Sequence, residues 1–290
     1  FESISVIIPC DGRPSVAATI DSIRRNETER PVEILVAGSL PAGDFPDVLV
    51  VPADGATTGA LRNRAAERAA GDLLLFTDSD CIVDDDWIDG LAGAVTDEFP
   101  VVGGGIRFPQ GSLWDLGDNL AVFHAVSVHR RARTIDAVMG TNNLAVAAEA
   151  FRRLGGFRDD LTVGEDGEFL NRARDAGIAV RFEPRAAVLH GSGRDTPAAV
   201  REHAVWYARG YATLMERGLA PAGRGRAERW IGNAGMAAAL WSAGKAAWGA
   251  AALYLPHPVF WRYLRALPAV WLFYYTRRRT LFRLARAKGA

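Results

Sequence analysis

The chain has 290 residues and a mass of 31.3 kDa, which is enough for one large domain or for one domain with a substantial extension. Its composition, 49% hydrophobic and 23% charged, excludes a disordered chain, a collagen and a disulfide-linked scaffold. The 34 basic and 34 acidic residues cancel, but residues 191–290 carry a net charge of +12 and residues 1–190 a net charge of −12. We therefore expect an acidic body with a basic, aromatic-rich tail, and no nucleic acid as partner.

Short apolar runs in the first half of the chain predict four strands, at Ile4–Pro9, Val32–Ala37, Val48–Val51 and Leu73–Thr77. Helical spacing lies between them at Ser15–Arg25 and Thr58–Ala70. This alternation predicts an α/β fold, a Rossmann-like, mixed and mostly parallel sheet flanked by helices. Ligands bind such sheets beyond the carboxyl ends of the strands, so the residues that follow each run are the candidates for chemistry.

Common nucleotide and zinc motifs are absent from the sequence. The turn after the first run, Cys10–Pro14, lacks the glycine spacing of a dinucleotide site, and the only two lysines, Lys245 and Lys288, lie in the tail and form no P-loop. Cys10 and Cys81 are too few for a disulfide framework, and we expect two small buried residues without chemistry. Carboxylates are the remaining candidates.

The motif Asp78-Ser79-Asp80 directly follows the fourth predicted strand. If the extended backbone continues through it, both carboxylates project to one side and Ser79 to the other. Two such oxygen ligands suit Mg²⁺ or Mn²⁺ bound together with a substrate diphosphate. An arbitrary D-x-D more often begins a loop or caps a helix, but the position at a strand end favours the metal site here.

A second acidic pair, Glu165-Asp166, follows Gly164 and opens a predicted helix that ends at Gly177. Asp166 precedes Leu170 by four residues, which places it on the apolar side of the helix. A carboxylate that points inward at a helix start can act as a general base on a hydroxyl nucleophile. The alternative is an ordinary acidic first turn on a surface helix.

Two further polar groups lie beside apolar runs. His190 follows Ala186–Leu189 and is a candidate third metal ligand, the alternative being a histidine with purely structural partners. Asn142 and Asn143 precede another apolar run, and their amides, which both donate and accept hydrogen bonds, suit sugar hydroxyls. A simple turn is the alternative for this segment.

Taken together, these residues resemble the inverting family 2 glycosyltransferases, which have the GT-A fold. The resemblance extends from Ile4 to about Gly191 and rests on six motifs in the order of the family. They are Ser5–Pro9, Leu61–Asn63 with Ala70–Asp72 leading into Asp78–Asp80, Gly140–Leu144, Leu154–Phe157, Gly164–Asp166 and Val188–His190.

The resemblance implies a metal-dependent enzyme that transfers a sugar from a nucleotide-diphospho-sugar, first of all a UDP-sugar, to an acceptor hydroxyl. It implies Asp166 as the catalytic base and Mn²⁺ or Mg²⁺ held by Asp80, Asp78 and His190. The implied acceptor contacts are Asn142, Asn143 and Glu165. The implied donor contacts are Pro9, Cys10, Asp11, Gly38, Arg62, Asn63, Asp78, Ser79 and Asp80.

One departure from the family pattern affects the donor. Many relatives have an acidic Asp-Asp-Gly-Ser after the second strand, whereas this chain has Val36-Ala37-Gly38-Ser39. The chain therefore lacks the carboxylate that usually contacts the base or ribose, and Asp11 is the candidate substitute. The sequence leaves the nucleotide of the donor open.

The composition of the tail predicts two domains. A catalytic domain over residues 1–200 is followed by a helical, basic extension over residues 201–290. It contains a predicted helix, a Pro/Gly/Arg-rich connection and two apolar stretches, at Arg201–Gly218, Ala220–Arg229, Ile231–Leu255 and Val259–Tyr275. The stretches are interpreted as helices in the interface of an anionic membrane, as a short transmembrane hairpin, or as a soluble subdomain or oligomer contact. The first interpretation is favoured. It places a membrane-associated enzyme at the cytoplasmic face of the cell membrane, bound peripherally or shallowly inserted, with a lipid-linked or cell-surface glycan as acceptor.

Two other functions compete with glycosyl transfer. A non-catalytic member that binds a sugar nucleotide or a protein partner is compatible with the missing acidic motif near Ala37. A nucleotidyltransferase would need a basic, glycine-rich triphosphate loop after the first strand, which Gly12-Arg13-Pro14 matches poorly. Neither alternative accounts for Asp166 as well.

Overall fold

The computed structural model describes residues 1–41, 45–53, 55–135, 139–220 and 235–288. The chain forms two compact units. The first consists of Phe1–Arg107 and Val126–His190, and the second of Phe108–Ala125 and Gly191–Ala290. The division differs from the predicted one in two ways: the boundary follows His190 instead of residue 200, and a segment from the middle of the chain, Phe108–Ala125, belongs to the C-terminal unit.

The first unit is built on a sheet whose strands follow the order β3-β2-β1-β4-β8-β6-β9-β5, with β7 paired to β9. The strands are β1 (Ile4–Asp11), β2 (Val32–Ser39), β3 (Val48–Val51), β4 (Leu73–Thr77), β5 (Cys81–Val83), β6 (Val101–Arg107), β7 (Arg133–Thr134), β8 (Asn143–Ala147) and β9 (Val180–His190). Strands β1 to β4 are parallel, and β8 runs antiparallel to both of its neighbours, β4 and β6. The four predicted strands are confirmed.

Helices cover this sheet, at α1 (Ser15–Arg24), α2 (Thr58–Arg68), α3 (Trp87–Ala94), α5 (Ala148–Leu154) and α6 (Glu165–Asp175). Every residue of β4 is buried, as expected for a strand with both faces covered. Next to β4, the rings of Phe76, Phe151, Phe157 and Phe169 form one cluster, with centroids 4.9 Å apart for Phe157 and Phe169. Because this cluster joins β4, α5 and α6, it fixes the start of α6 relative to the end of β4.

Strand β9 contains a bulge that controls the position of its last residue. Gly104 of β6 lies opposite Glu183 and Gly105 opposite Ala187, so β9 accommodates three additional residues within one step of β6. A Cβ at Gly105 would lie 2.5 Å from the carbonyl oxygen of Pro184, which explains the glycine. Beyond the bulge, β9 pairs antiparallel with β5 and ends at His190.

The second unit is helical, with α4 (Leu113–Phe123), α7 (Pro197–Glu216), α8 (Gly235–Ala252), α9 (Phe260–Arg265) and α10 (Leu267–Lys288). Helix α4 lies in its core and carries buried acids. The Asp118 carboxylate is 2.8 Å from Nδ1 of His203 and 3.4 Å from Arg194, and Asp115 accepts a hydrogen bond from Ser192. These partners all come from the C-terminal segment, so α4 depends on it.

The tail differs from its prediction in helix boundaries. The helix expected at Arg201–Gly218 begins at Pro197, because the Thr196 side chain accepts a hydrogen bond from the backbone N–H of Ala199 at 3.2 Å. The stretch expected at Val259–Tyr275 divides into α9 and α10. Residues 221–234, which include most of the predicted connection and the start of the first apolar stretch, lie outside the described residues.

Within the described ranges, no helix has both the length and the apolar character needed to cross a bilayer.

Candidate active site

The D-S-D motif forms a turn after β4. The strand ends at Thr77, and the backbone N–H of Cys81 donates to the carbonyl oxygen of Asp78 at 3.1 Å. The extended backbone that the sequence prediction assumed therefore does not continue through the motif. The two carboxylates have separate partners: Asp78 accepts a hydrogen bond from Arg62 at 2.6 Å, whereas Asp80 lies beside His190. The assignment of Asp78 to the metal stays a prediction.

Arg62, in α2, connects this turn to α6. Its side chain is only 3% exposed, and its terminal nitrogens Nη2 and Nη1 donate to Asp78 at 2.6 Å and to Glu165 at 2.8 Å. A buried guanidinium is tolerated where two carboxylates compensate its charge. Both terminal nitrogens are thus engaged by the protein, and so is the Glu165 carboxylate, which was predicted to contact an acceptor.

Asp166 lies in the first turn of α6. Gly164 has φ of +85°, a conformation that favours glycine, and it lets the chain turn sharply into the helix. Asp166 Oδ1 accepts a hydrogen bond from the backbone N–H of Gly167 at 2.6 Å. Burial, and secondly the charge of Glu165, raise the pKa of Asp166 to about 7, although its residue surface is partly accessible. A carboxyl group with a pKa near neutrality is suited to general base catalysis.

Asp80, Cys81 and His190 form the group that can hold a metal ion. One ligand atom from each lies within 4.8 Å of the others, because Cys81 of β5 is paired with His190 of β9. The carboxylate oxygen and imidazole nitrogen fit Mn²⁺, and the sulfur is a softer donor. Burial raises the pKa of the Cys81 thiol well above its usual value, so the thiol is protonated at neutral pH. Both cysteines are buried and free, as predicted. The sequence analysis did not predict that Cys81 is part of the candidate metal-binding group.

Arg13 is a second residue that the sequence prediction of the site omitted. It forms a two-fold ion pair with Asp11, with both N···O distances 2.7 Å, and its Nη1 is 3.9 Å from Asp80 Oδ2. The guanidinium lowers the pKa of Asp11. Asp11, the candidate substitute for the missing acidic motif, is therefore already paired. The position of Arg13 just after β1 was the signal that could have identified it.

The other predicted donor residues lie at the ends of β1 and β2. Pro9 and Cys10 are buried in β1, and Cys10 is paired with Gly38 of β2. Gly38 has φ of +110°, and a Cβ there would lie 2.1 Å from the carbonyl oxygen of Cys10. No side chain fits at this position, so the two strand ends stay in close backbone contact. Ser79 is buried in the D-S-D turn.

Two of the asparagines predicted as substrate contacts form hydrogen bonds within the protein instead. The Asn63 amide donates to the Phe157 carbonyl at 2.7 Å and accepts from its N–H at 2.8 Å. The Asn143 amide donates to the carbonyls of Gly105 and Ala186, both at 2.9 Å, and accepts from the Trp87 indole at 2.8 Å. These bonds use the hydrogen-bonding groups that the predicted substrate contacts would need.

Asn142 differs from both. It is 3% exposed, and among the described residues neither its Oδ1 nor its Nδ2 has a hydrogen-bond partner. Thr77 is paired with Asn143 across β4 and β8, which places Asn142 next to Asp78 at the edge of the sheet. A buried amide without partners is costly, and a ligand with hydroxyl groups at this edge would satisfy it.

A family model described as "Glycosyltransferase like family 2" matches residues 41–209, more than half of the chain. The chain belongs to this glycosyltransferase family. Glycosyltransferase AglE of Haloferax volcanii is 28% identical to it over 130 residues, which are 42% of this chain and 40% of AglE. The match thus spans less than half the length of this curated relative.

Solved structures show that the chain has the predicted GT-A fold. The mannosyltransferase PcManGT of Pyrobaculum calidifontis, solved with GDP-Man and Mn²⁺, is similar with a TM-score of 0.60 at 19% identity, over 98% of this chain and 86% of PcManGT. GalNAc-T7, solved with UDP, GalNAc and Mn²⁺, is similar with a TM-score of 0.52 at 19% identity, over 65% of this chain and 43% of GalNAc-T7.

Proposed function

We propose that the protein is an inverting glycosyltransferase that moves a sugar from a nucleotide-diphospho-sugar, first of all a UDP-sugar, to an acceptor hydroxyl. The observation that carries the proposal is the bridge from Asp78 through Arg62 to Glu165. It joins the D-S-D turn to the start of α6, so that Asp166 and the carboxylates of the turn belong to one acidic cluster at the carboxyl end of β4.

A divalent cation, Mn²⁺ or Mg²⁺, is part of this proposal. Its support is the donor set of Asp80 and His190, together with the Mn²⁺ in the PcManGT and GalNAc-T7 structures. Asp80 and His190 would hold the ion, with Asp78 as the further predicted ligand. When bound, the ion would supply Lewis-acid neutralisation of the charge that develops on the departing diphosphate.

The chain's own residues would perform the remaining tasks. Arg13, next to Asp80, can form charge-assisted hydrogen bonds with diphosphate oxygens. The unsatisfied amide of Asn142 can position a sugar or acceptor hydroxyl. Asp166 takes the proton of the acceptor hydroxyl as its oxygen attacks the anomeric carbon. The bond from that carbon to the diphosphate breaks on the opposite side, and the configuration inverts in a single displacement.

We further place this reaction at the cytoplasmic face of the cell membrane, in the biosynthesis of a lipid-linked or cell-surface glycan. The support is the composition of the tail, which combines a net charge of +12 with six of the eight tryptophans. The GDP-Man of PcManGT and the UDP of GalNAc-T7 define the donors to be compared first.

The test is donor binding followed by turnover. We expect one class among UDP-, GDP- and dTDP-sugars to raise the melting temperature in the presence of Mn²⁺. With that donor and an acceptor panel, wild type should release free nucleotide diphosphate, and Asp166→Asn should lower turnover about 10²-fold or more while donor binding persists. Asp159→Asn, which alters an exposed carboxylate of the loop before α6, is the matched control and should retain turnover.

Other outcomes separate the competing functions. Near-normal turnover in Asp166→Asn would remove this residue from the role of base. Donor binding by wild type without nucleotide release would favour a non-catalytic sugar-nucleotide binder, and release of pyrophosphate from a nucleoside triphosphate would favour a nucleotidyltransferase.

A further inference from the structure

The second unit presents large apolar side chains to solvent on α8, on α9 and on the loop between them. Trp241, Trp248, Leu255 and Trp261 are 65%, 51%, 56% and 69% exposed. We call the whole set the aromatic edge, and its members are Leu240, Trp241, Trp248, Leu253, Leu255 and Trp261. Scattered exposed apolar residues are normal in soluble proteins, but a contiguous set of this size marks an interaction surface.

The aromatic edge is contiguous across the two helices. Trp241 and Trp248 are seven residues apart in α8, a spacing that keeps them on one side of the helix, and Leu255 lies in the turn that follows its last residue, Ala252. The Trp248 ring lies 6.4 Å from that of Phe260, which lies 5.4 Å from that of Trp261. The tryptophans of both helices therefore belong to a single surface.

Helix α8 reverses the usual distribution of side-chain size. From Leu240 to Ala252, where its side chains are described, the buried positions are alanines, at Ala243, Ala247, Ala250 and Ala251, each 3% exposed or less. Its tryptophans, which could bury far more apolar area, point outward instead. A helix that packs by small residues and exposes its large ones is arranged to bury the large ones against something outside the unit.

The charge around the aromatic edge indicates what that partner is. The chain contains no Asp or Glu after Glu228, but ten Lys and Arg follow it. Exposed cations accompany the tryptophans on the same helix sides: Lys245 is four residues after Trp241, with its Nζ 4.6 Å from the ring, and Arg265 is four residues after Trp261. A second copy would bring the same positive charge against itself, whereas an anionic lipid surface complements it.

We propose that the aromatic edge docks the protein on an anionic lipid bilayer. The tryptophan and leucine side chains lie at the boundary between headgroups and acyl chains, and Lys245 and Arg265 reach the lipid phosphates. Helices α8 and α9 lie along the surface in this arrangement. This inference deepens the membrane placement proposed above, because it names the surface that makes the contact, and it rests on that part of the proposed function. Vesicle binding and turnover are measured separately, so a failure of one is distinguishable from a failure of the other.

The experiment is flotation of the full chain with phosphatidylcholine vesicles, with and without about one-third phosphatidylglycerol, at low and high salt. We expect binding to the anionic vesicles that weakens with salt. The variant Trp248→Ala/Trp261→Ala should lower the partition coefficient about tenfold or more. Lys245→Gln/Arg265→Gln should lower the partition coefficient for anionic vesicles only.

Trp206→Ala is the matched control and should bind as wild type does. It removes an equally exposed tryptophan that contacts His203 and Tyr207 on α7.

Three results would overturn the proposal. The first is no flotation of the wild type with anionic vesicles at low salt. The second is an equal loss of binding in Trp206→Ala. The third is a lower oligomeric mass of Trp248→Ala/Trp261→Ala without vesicles, which would show that a second copy covers the edge. Thermal unfolding of each variant tests the fold, and the charge variant gives an independent result if the tryptophan variant is unstable.

Discussion

The pKa of the Asp166 carboxyl group depends on its burial and on the charges of neighbouring residues. Burial raises the pKa of Asp166 to about 7, and the charge of Glu165 acts in the same direction. Arg62 acts in the opposite direction, although its two terminal nitrogens are engaged by Asp78 and Glu165. The readiness of this carboxylate to accept a proton at neutral pH therefore depends on how many negative charges Arg62 compensates.

The pH profile of the reaction tests this dependence. A base works only when it is deprotonated, so kcat/KM should fall as the pH decreases through the pKa of Asp166. Glu165→Gln removes a neighbouring negative charge, lowers that pKa and should move the acidic limb to lower pH, as measured by initial rates from pH 5 to 9, a range of about two units on either side of neutrality. Asp159→Asn should leave the limb in place. A limb that stays or moves upward in Glu165→Gln would contradict the assignment.

Individual residues were predictable where the signal was local. The local pattern predicted correctly that Asp166 lies at the start of a helix, and its role as the base stays a prediction. The structural roles of Asn63 and Asn143 were not predictable, because they bond backbone groups 94 and 38 or 43 residues away in the chain. The unpartnered amide of Asn142 is likewise visible only once the residues around it are in place.

At the scale of elements, the two carboxylates of the D-S-D motif, which follows the end of β4, contact different parts of the fold. Asp80 is joined to the metal group by the pairing of β5 with β9, whereas Asp78 is joined to α2 and α6 by Arg62. One carboxylate thus belongs to the group of candidate metal ligands, and the other holds three elements together. The periodicity of a strand could not predict this division, since it describes extended backbone and the motif is a turn.

Substitution of each aspartate should reveal the division. In donor-free protein, we expect Asp80→Asn to weaken Mn²⁺ binding about tenfold or more, as measured by Mn²⁺ titration with electron paramagnetic resonance detection. Asp78→Asn should weaken Mn²⁺ binding less than Asp80→Asn does, because Asp78 is shared with Arg62. It should also lower the free energy of unfolding in urea by about 1–3 kcal/mol, because buried Arg62 loses one partner. Asp84→Asn, which breaks a pair with Arg107 at the surface, controls for loss of a carboxylate. Equal losses of Mn²⁺ affinity in Asp78→Asn and Asp80→Asn would mean that both ligate the ion.

Apolar runs located the first four strands with their correct starting residues, yet they did not indicate that β8 would enter the sheet antiparallel to β4 and β6. Strand direction follows from the path of the chain and not from residue type. The division of the second apolar stretch at Ala266 has a local cause. Pro268 lacks an N–H and is tolerated in the first turn of a helix, so α10 starts there as a new helix.

At the scale of the molecule, the second unit takes a helix from the middle of the chain. Helix α4 is separated in sequence from the residues that satisfy it, since Asp118 pairs with His203 and the Ala121 carbonyl accepts from Tyr274 at 2.8 Å. Gly117 packs so closely that a Cβ there would lie 2.4 Å from that of Ala269. Composition marked the basic tail correctly, but it could not show that these distant residues need the tail.

Truncation after residue 200, the boundary that composition predicts, should therefore fail to give a well-folded domain. The truncated chain keeps α4 with Ser192 and Arg194 but loses His203, Tyr274 and the close packing of Gly117 on Ala269. We expect aggregation, or binding of a hydrophobic dye together with a broad thermal transition, relative to the full chain. A soluble residue 1–200 fragment that melts as cooperatively and at the same temperature as the full chain would contradict the dependence of α4 on the tail.

The bulge in β9 limits which insertions and deletions this chain can accept at this place. Side chains alternate between the two faces of a strand, so an odd number of additional residues reverses the face on which everything downstream appears. The three additional residues opposite Gly104 and Gly105 thus determine which way His190 points. Loss of a single residue at Arg185, on the surface and outside the cluster of candidate ligands, would turn the imidazole away from Asp80 without altering any ligand. In this chain, the number of residues in the bulge is thus as important for the candidate ligand group as the identity of its members.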